Sequence, residues 1–385
     1  MPEHFHFHEQ PDRAGTGSTK WEQSKGAIPM WIADMDFYSA PCVRDALLLA
    51  ARESVYGYTD ATDAYFEAVQ GWMRRRHHFH ADREWIMPQN GVTPSIAACI
   101  RGFTAPGDRV LLQPPLYPPF IHLTERNGRE PVYNPLQRDE AGIYRMDFDD
   151  LERKARDPRA KMMLLCSPHN PTGRVWTPEE LSKVAEICAR NGVIVVSDEI
   201  HSDLILAGRH TMFCGVAGDV SDRCAILTAP SKTFNLAGLQ LSNTIIPGTA
   251  LRDRYRNEQI ADGYEHPSFF GSRALIAAYT QGDEWLDAVR AYIRDNFALL
   301  KDCFGARLPT VRLTDAQATY LAWTDWNALR MPPGELQRII REEAGVYVMD
   351  GAQFGIGGEG FLRMNLAMPR GELEQALQRI WKRFA

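Results

Sequence analysis

Four short, nearly unbroken apolar runs lie in the middle of this 385-residue chain: RVLLQ (109–113), KMMLLCS (161–167), GVIVVSD (192–198) and CAILTA (224–229). A strand with one wet face alternates polar and apolar residues. A run without alternation is buried on both faces, as in a parallel sheet covered by helices. Between the second and third runs, PEELSKVAEICARN (178–191) opens with Pro and two Glu and stops at Asn191-Gly192, the start and stop signals of a crossover helix. The expected class is α/β with a mostly parallel central sheet.

The chain is longer than one core ordinarily serves, since single cores stop growing at about 250–300 residues. Residues from about 283 to 304 have a helical pattern. They are followed by strand-like pieces, TYLAWTD, GVYVMD and GFLRMNLAM, and by an amphipathic helix, GELEQALQRIWKRF. This order predicts a smaller α+β domain after a large one. The expected division is an N-terminal arm, 1–45, packing with the small domain; a large cofactor-binding domain, 46–282; and a small domain, 283–385.

A net charge of -6 gives no electrostatic reason to bind nucleic acid or an anionic membrane. No stretch reaches the roughly 18 apolar residues of a membrane span, and the N-terminus lacks the apolar segment of a secretion signal. The cytoplasm is the expected location. Seven scattered cysteines without a C-x-x-C pair suggest neither a disulfide framework nor a zinc cage. Two histidine-bearing stretches are set aside: HFHFH (4–8) as a fraying terminus rather than a metal site, and RRRHHFH (74–80) as a solvated helix end.

In open α/β sheets ligands bind beyond the carboxyl ends of the strands, so the polar residues that follow each apolar run are informative. After KMMLLC comes SPHNPTG, with Asn170. After GVIVV comes SDEIHSD, with Asp198 and His201. After CAILTA comes PSK, with Lys232. Upstream, QNGVTPSI (89–96) places Gly91 before a helix-like run, where a helix N-terminus offers free N–H groups to a phosphate. A lysine amine for an aldehyde, an aspartate for a pyridinium nitrogen and a helix N-terminus for a phosphate together match pyridoxal phosphate. No metal is expected.

The ordered set of NPTG turn, D-E-x-H and S-K-T-F-N-x-A-G-L resembles fold type I pyridoxal-phosphate enzymes. Within the aminotransferase class I/II superfamily it is most similar to the MalY/PatB branch of C–S lyases, the cystathionine β-lyases. Further matches run almost the whole length: GTGSTKWEQ (15–23), PMWIADMDF (29–37), YGYT (56–59), PPLYPPF (114–120) and GFLRMNLAMPR (360–370). The resemblance implies that Lys232 carries the cofactor and later takes the substrate α-proton, while Asp198 pairs with the ring nitrogen. It implies that Asn170 and His201 bond the ring hydroxyl and that Tyr117 stacks on the ring. Gly91, Val92, Thr93 and Ser231 would hold the phosphate, with Tyr58 reaching over from a second subunit of a homodimer. Arg363 would clamp the α-carboxylate of an amino-acid substrate.

Gln240 stands where many aminotransferases of this fold carry a phosphate-binding arginine, and glutamine there resembles the lyase branch. The implied reaction is α,β-elimination from a thioether amino acid. An aminotransferase and a cofactor-binding regulatory protein are the alternatives.

Overall fold

The computed structural model describes residues 5–384. Its main sheet has seven strands: β1 (Ile86–Gln89), β2 (Arg109–Leu112), β3 (Glu130–Tyr133), β4 (Ala160–Cys166), β5 (Ile194–Asp198), β6 (Cys224–Thr228) and β7 (Ser242–Ile245), in spatial order β1-β7-β6-β5-β4-β2-β3. β7 runs antiparallel to β1 and β6, and the other pairings are parallel. Since β7 is reversed against both neighbours, β1 points the same way as β6. Six strands therefore share one carboxyl edge.

The unbroken apolar runs have the expected cause. Alternate residues of one strand enter two different cores. Val110, Leu112, Met162, Leu164, Val196 and Leu227 join one with Ile96 and Phe103, while Leu111, Met163, Leu165, Val195 and Ile226 join another with Leu181, Val184 and Cys188. Seven of the helices are, in chain order, α1 (Pro41–Arg52), α2 (Asp63–His77), α3 (Val92–Phe103), α4 (Pro178–Asn191), α5 (Phe269–Gln281), α6 (Asp283–Arg307) and α7 (Arg370–Trp381); others span Pro119–Arg126, Phe148–Ala155 and Thr249–Ala261. Helix α4 covers the second face. It starts on a capping box in which Thr177 Oγ1 accepts from the Glu180 N–H at 3.2 Å and Glu180 Oε2 accepts from the Thr177 N–H at 2.8 Å. It ends where Gly192 takes φ +70°, a conformation open to glycine.

Beyond α6 lies an antiparallel sheet of β8 (Arg312–Leu313), β9 (Leu321–Asp325), β10 (Met349–Asp350) and β11 (Phe361–Asn365), in order β8-β9-β11-β10. Its core gathers Leu300, Phe304, Ala322, Leu362, Met364 and Leu377 together with Ile28 and Met30 from near the N-terminus. Ile28–Pro29 pairs in parallel with Val346–Tyr347.

Two expectations are corrected. Within HFHFH, His4 lies outside the described residues, but the following residues do not fray: Phe5 and Phe7 are buried, and the Phe7 ring packs 5.3 Å from Phe37 and 5.7 Å from both Trp285 and Tyr292. The alternation that resembles a chelate puts two phenylalanines on an apolar surface. The RRRHHFH end of α2 is only partly solvated. Arg75 and Arg76 pair with Asp283 and Asp287 of α6, while His77 is buried with Nε2 2.7 Å from Asp203 Oδ1. These basic residues meet acids 126 to 211 positions away, which the local charge pattern does not reveal.

Candidate active site

Neighbouring strands are in register where the candidate residues emerge. Cys166 sits opposite Asp198, and Asp198 opposite Leu227, so the segments leading to Asn170, His201 and Lys232 leave the sheet side by side. Lys232 lies in a one-turn helix, Pro230–Thr233, immediately after β6. Its Nζ donates to the Ala33 carbonyl at 2.6 Å. Burial pulls the amine down to about 8, with Arg363 acting in the same sense and Asp34 and Asp198 opposing.

Asp198 closes β5 and is buried. Its Oδ1 accepts from the Ile200 N–H at 3.1 Å. Burial pushes its carboxyl up to about 7, Glu199 adds to this, and the Ile200 bond and Lys232 oppose it. His201 is also buried, and its imidazole is pulled down to about 3 by burial and by the Lys232 and Arg363 cations, so it is neutral. Its Nδ1 has no hydrogen-bond partner among the described residues.

Arg363 projects from β11 and is 3% exposed. Its Nη1 donates to Asn170 Oδ1 at 3.1 Å and its Nη2 to the Trp31 carbonyl at 2.8 Å, while Nε is buried without a partner. Burial lowers this guanidinium to about 10. Tyr117 stands in the turn after β2, and burial raises its hydroxyl, with Asp198 adding to the rise and Arg363 opposing it. Gly91 takes φ +110° at the start of α3, which has no side-chain cap, so Val92 and Thr93 begin the helix with first-turn N–H groups unclaimed by a cap. A residue with a Cβ would be strained at that φ.

Lys232, Asp198, His201, Asn170, Tyr117 and Arg363 thus converge at the carboxyl edge. Tyr58 does not join them within the chain: it is 95% exposed, with its ring 5.2 Å from that of His266. Gln240 is exposed at φ +50°, at the end of the turn that follows the lysine segment. A cleft of 660 Å³ bordered by Arg138, Arg174 and Thr314 contains none of these residues. Among the described residues no cluster of His, Cys, Asp or Glu is arranged to hold a metal ion.

The residue set fits pyridoxal phosphate. A buried carboxyl short of a cation, an orphaned neutral imidazole nitrogen, a desolvated amine and an uncapped helix N-terminus are the four complements of a pyridinium, a ring hydroxyl, an aldehyde and a phosphate.

The role of residues 31–37 is the part not drawn from the sequence. PMWIADMDF is a motif match without assigned contacts, and within SKTFN only Ser231 and Lys232 are singled out. In the structure Ala33 meets Lys232, Trp31 meets Arg363, and Asn365 Nδ2 donates to the Ile32 and Asp34 carbonyls at 2.7 and 2.8 Å. Backbone acceptors carry no side-chain signature, so composition and spacing could not point to them.

A family model for aminotransferase class I and II matches residues 31–380. The chain is 39% identical over 383 residues to cystathionine beta-lyase PatB of Bacillus subtilis, covering 98% of this chain and 99% of that protein. It is 36% identical to protein MalY of Escherichia coli, covering 97% of each. Cystalysin from Treponema denticola, solved with a pyridoxal 5'-phosphate cofactor, superposes with a TM-score of 0.96 at 34% identity, over 99% of this chain and 98% of that one. A PLP-bound C–S lyase from Staphylococcus hominis gives 0.92–0.93 at 32% identity, over 98% of each. The chain belongs to the aminotransferase class I and II family.

Proposed function

We propose that the protein is a pyridoxal-phosphate-dependent cysteine-S-conjugate β-lyase. It consumes cystathionine or a related thioether amino acid and water, and yields a thiol, pyruvate and ammonia. The meeting of Lys232, Asp198 and Arg363 at one sheet edge supports the cofactor and the amino-acid substrate. Full-length similarity to cystathionine β-lyases supports the elimination.

Bound pyridoxal phosphate supplies an aldehyde for an amine and a protonated ring able to take up an electron pair. Asp198 would hold the proton on the ring nitrogen, and that cation is what its raised carboxyl lacks. Asn170 and His201 would bond the ring hydroxyl, and Tyr117 would pack against the ring. Val92, Thr93 and Ser231 would hold the phosphate, with Gly91 letting the backbone approach it.

Arg363 binds the α-carboxylate through its guanidinium fork. Lys232 Nζ would take the Cα proton of the bound amino acid. Its lowered value of about 8 leaves a useful fraction of neutral amine near neutrality. Loss of the β-thiolate and hydrolysis of the remaining three-carbon unit complete the balance.

We infer further that the protein works as a homodimer in which Tyr58 reaches the partner's phosphate. Leu48, Leu49, Val55 and Tyr56, all within ten positions before Tyr58 in the chain, are 53–74% exposed, apolar side chains that a second copy would cover. The deciding assay incubates pure protein with cystathionine and measures thiol and pyruvate. Equal release of both is expected. Transfer of the amino group to an added keto acid without pyruvate release would replace this reading with an aminotransferase.

A further inference from the structure

We infer that Asn235 is a positioning residue that holds residues 31–35 as a shared row of acceptors between Lys232 and Arg363. For its substrate this inference rests on the lyase reading. Asn235 lies three residues beyond Lys232 and takes φ +59°, a left-handed conformation that asparagine tolerates better than most residues. Its side chain pairs with the backbone of one distant residue in both directions. Oδ1 accepts from the Met35 N–H at 3.0 Å, and Nδ2 donates to the Met35 carbonyl at 2.9 Å. An amide side chain thereby does what a neighbouring strand would do, in a stretch that belongs to no strand or helix.

The consequence lies two and four residues upstream. The Ala33 carbonyl accepts from Lys232 Nζ at 2.6 Å, and the Trp31 carbonyl accepts from Arg363 Nη2 at 2.8 Å. From the opposite side Asn365, two residues after Arg363 on β11, donates to the Ile32 and Asp34 carbonyls. The row is therefore clamped from the lysine segment by Asn235 and from the arginine strand by Asn365, with the reactive amine and the carboxylate-binding cation both drawing on it. The Trp31 ring stacks on Tyr347 at 5.0 Å and 16°, which steadies the far end.

Releasing the Asn235 clamp leaves the row held only from the Asn365 and Tyr347 side, so the Trp31 carbonyl becomes a less fixed acceptor and the guanidinium's aim toward the α-carboxylate weakens. That contact is the same in ground and transition states, so the loss falls on KM rather than kcat. Asn235→Gly keeps the left-handed backbone and deletes both bonds. Asn235→Asp keeps the acceptor for the Met35 N–H and sets an oxygen against the Met35 carbonyl.

The test has two readouts. In cofactor-free protein, amide hydrogen exchange at Met35 is expected to speed by about tenfold or more in Asn235→Gly, without a matching change at the β5 and β6 amides. In the loaded enzyme, KM for the amino-acid substrate is expected to rise by about tenfold while kcat changes by less than about threefold, with Asn235→Asp similar or worse. Unchanged exchange at Met35, or a fall in kcat at constant KM, overturns the inference. The exchange readout needs no turnover, so if the parent protein shows no lyase activity the lyase reading fails and the clamp is still decided.

Discussion

Arg363 Nη1 donates to Asn170 Oδ1 at 3.1 Å, joining the small antiparallel sheet to the turn after the fourth strand of the large one. Two elements 193 positions apart thereby share one buried hydrogen bond. Arg363→Lys removes the planar fork and leaves Asn170 without this donor. Loss of a charge-assisted bond costs about 1.5–3 kcal/mol, so KM for the amino acid should rise roughly tenfold to a hundredfold, read by steady-state kinetics.

Lys232→Ala is expected to abolish pyruvate release and the visible absorbance that borohydride removes from the parent enzyme. The thermal midpoint of its cofactor-free form should hold or rise against the cofactor-free parent, because the lost amine is desolvated and displaced downward to about 8. An absorption spectrum and a melting curve of the same sample check both points.

Asp198 and Lys232 contribute to the pH dependence of the cofactor-free protein in opposite senses. The Asp198 carboxyl is raised from 3.8 to about 7, so between those values the folded state holds a proton that the unfolded chain has released, and stability falls as pH rises. The shift corresponds to about 4 kcal/mol. The Lys232 amine is lowered from 10.5 to about 8, so from about 8 upward the unfolded chain holds the extra proton and stability recovers with pH. His201, lowered to about 3, acts in the opposite sense to Asp198 below about 6.5, so the Asp198 contribution is read as a difference: in cofactor-free protein the denaturant midpoint of Asp198→Asn should gain on that of the parent as pH rises from about 4 to about 7.

Asp36 anchors the N-terminal segment from a fully buried position. Its carboxylate accepts from Lys20 Nζ at 2.6 Å, Trp21 Nε1 at 2.9 Å and Arg13 Nη1 at 3.0 Å. Asp36→Ala leaves the buried Lys20 ammonium without its counter-ion, a change that costs about 3–5 kcal/mol. Chemical denaturation should show that loss, whereas substitution of the exposed Arg44–Asp45 pair should be nearly silent.

Leu49→Glu sets a charge among the exposed apolar side chains that precede Tyr58 in the chain. Sedimentation of the parent should give twice the chain mass, and the variant should sediment as a monomer with weakened cofactor retention. A fully active monomer would remove Tyr58 from the site.

Much of the site was legible because each cofactor-facing side chain follows an apolar run. Burial on both faces forces an unbroken hydrophobic strand, and parallel register places all the strand ends together, so Asn170, Asp198, His201 and Lys232 could be picked out in order. The same local reasoning failed at HFHFH and RRRHHFH, where Phe7 and His77 find their partners at Phe37, Tyr292 and Asp203. It was silent on Ala33, Trp31 and Met35, whose part is played by backbone groups that every residue possesses. The linear pattern determined which strands are buried and which polar residues stand at their ends, because those depend on periodicities of a few residues. Which carbonyl receives the Lys232 amine, and which side chains hold that carbonyl in place, was decided only by tertiary packing, because hydrogen bonding between positions some 200 apart leaves no periodic trace in the chain.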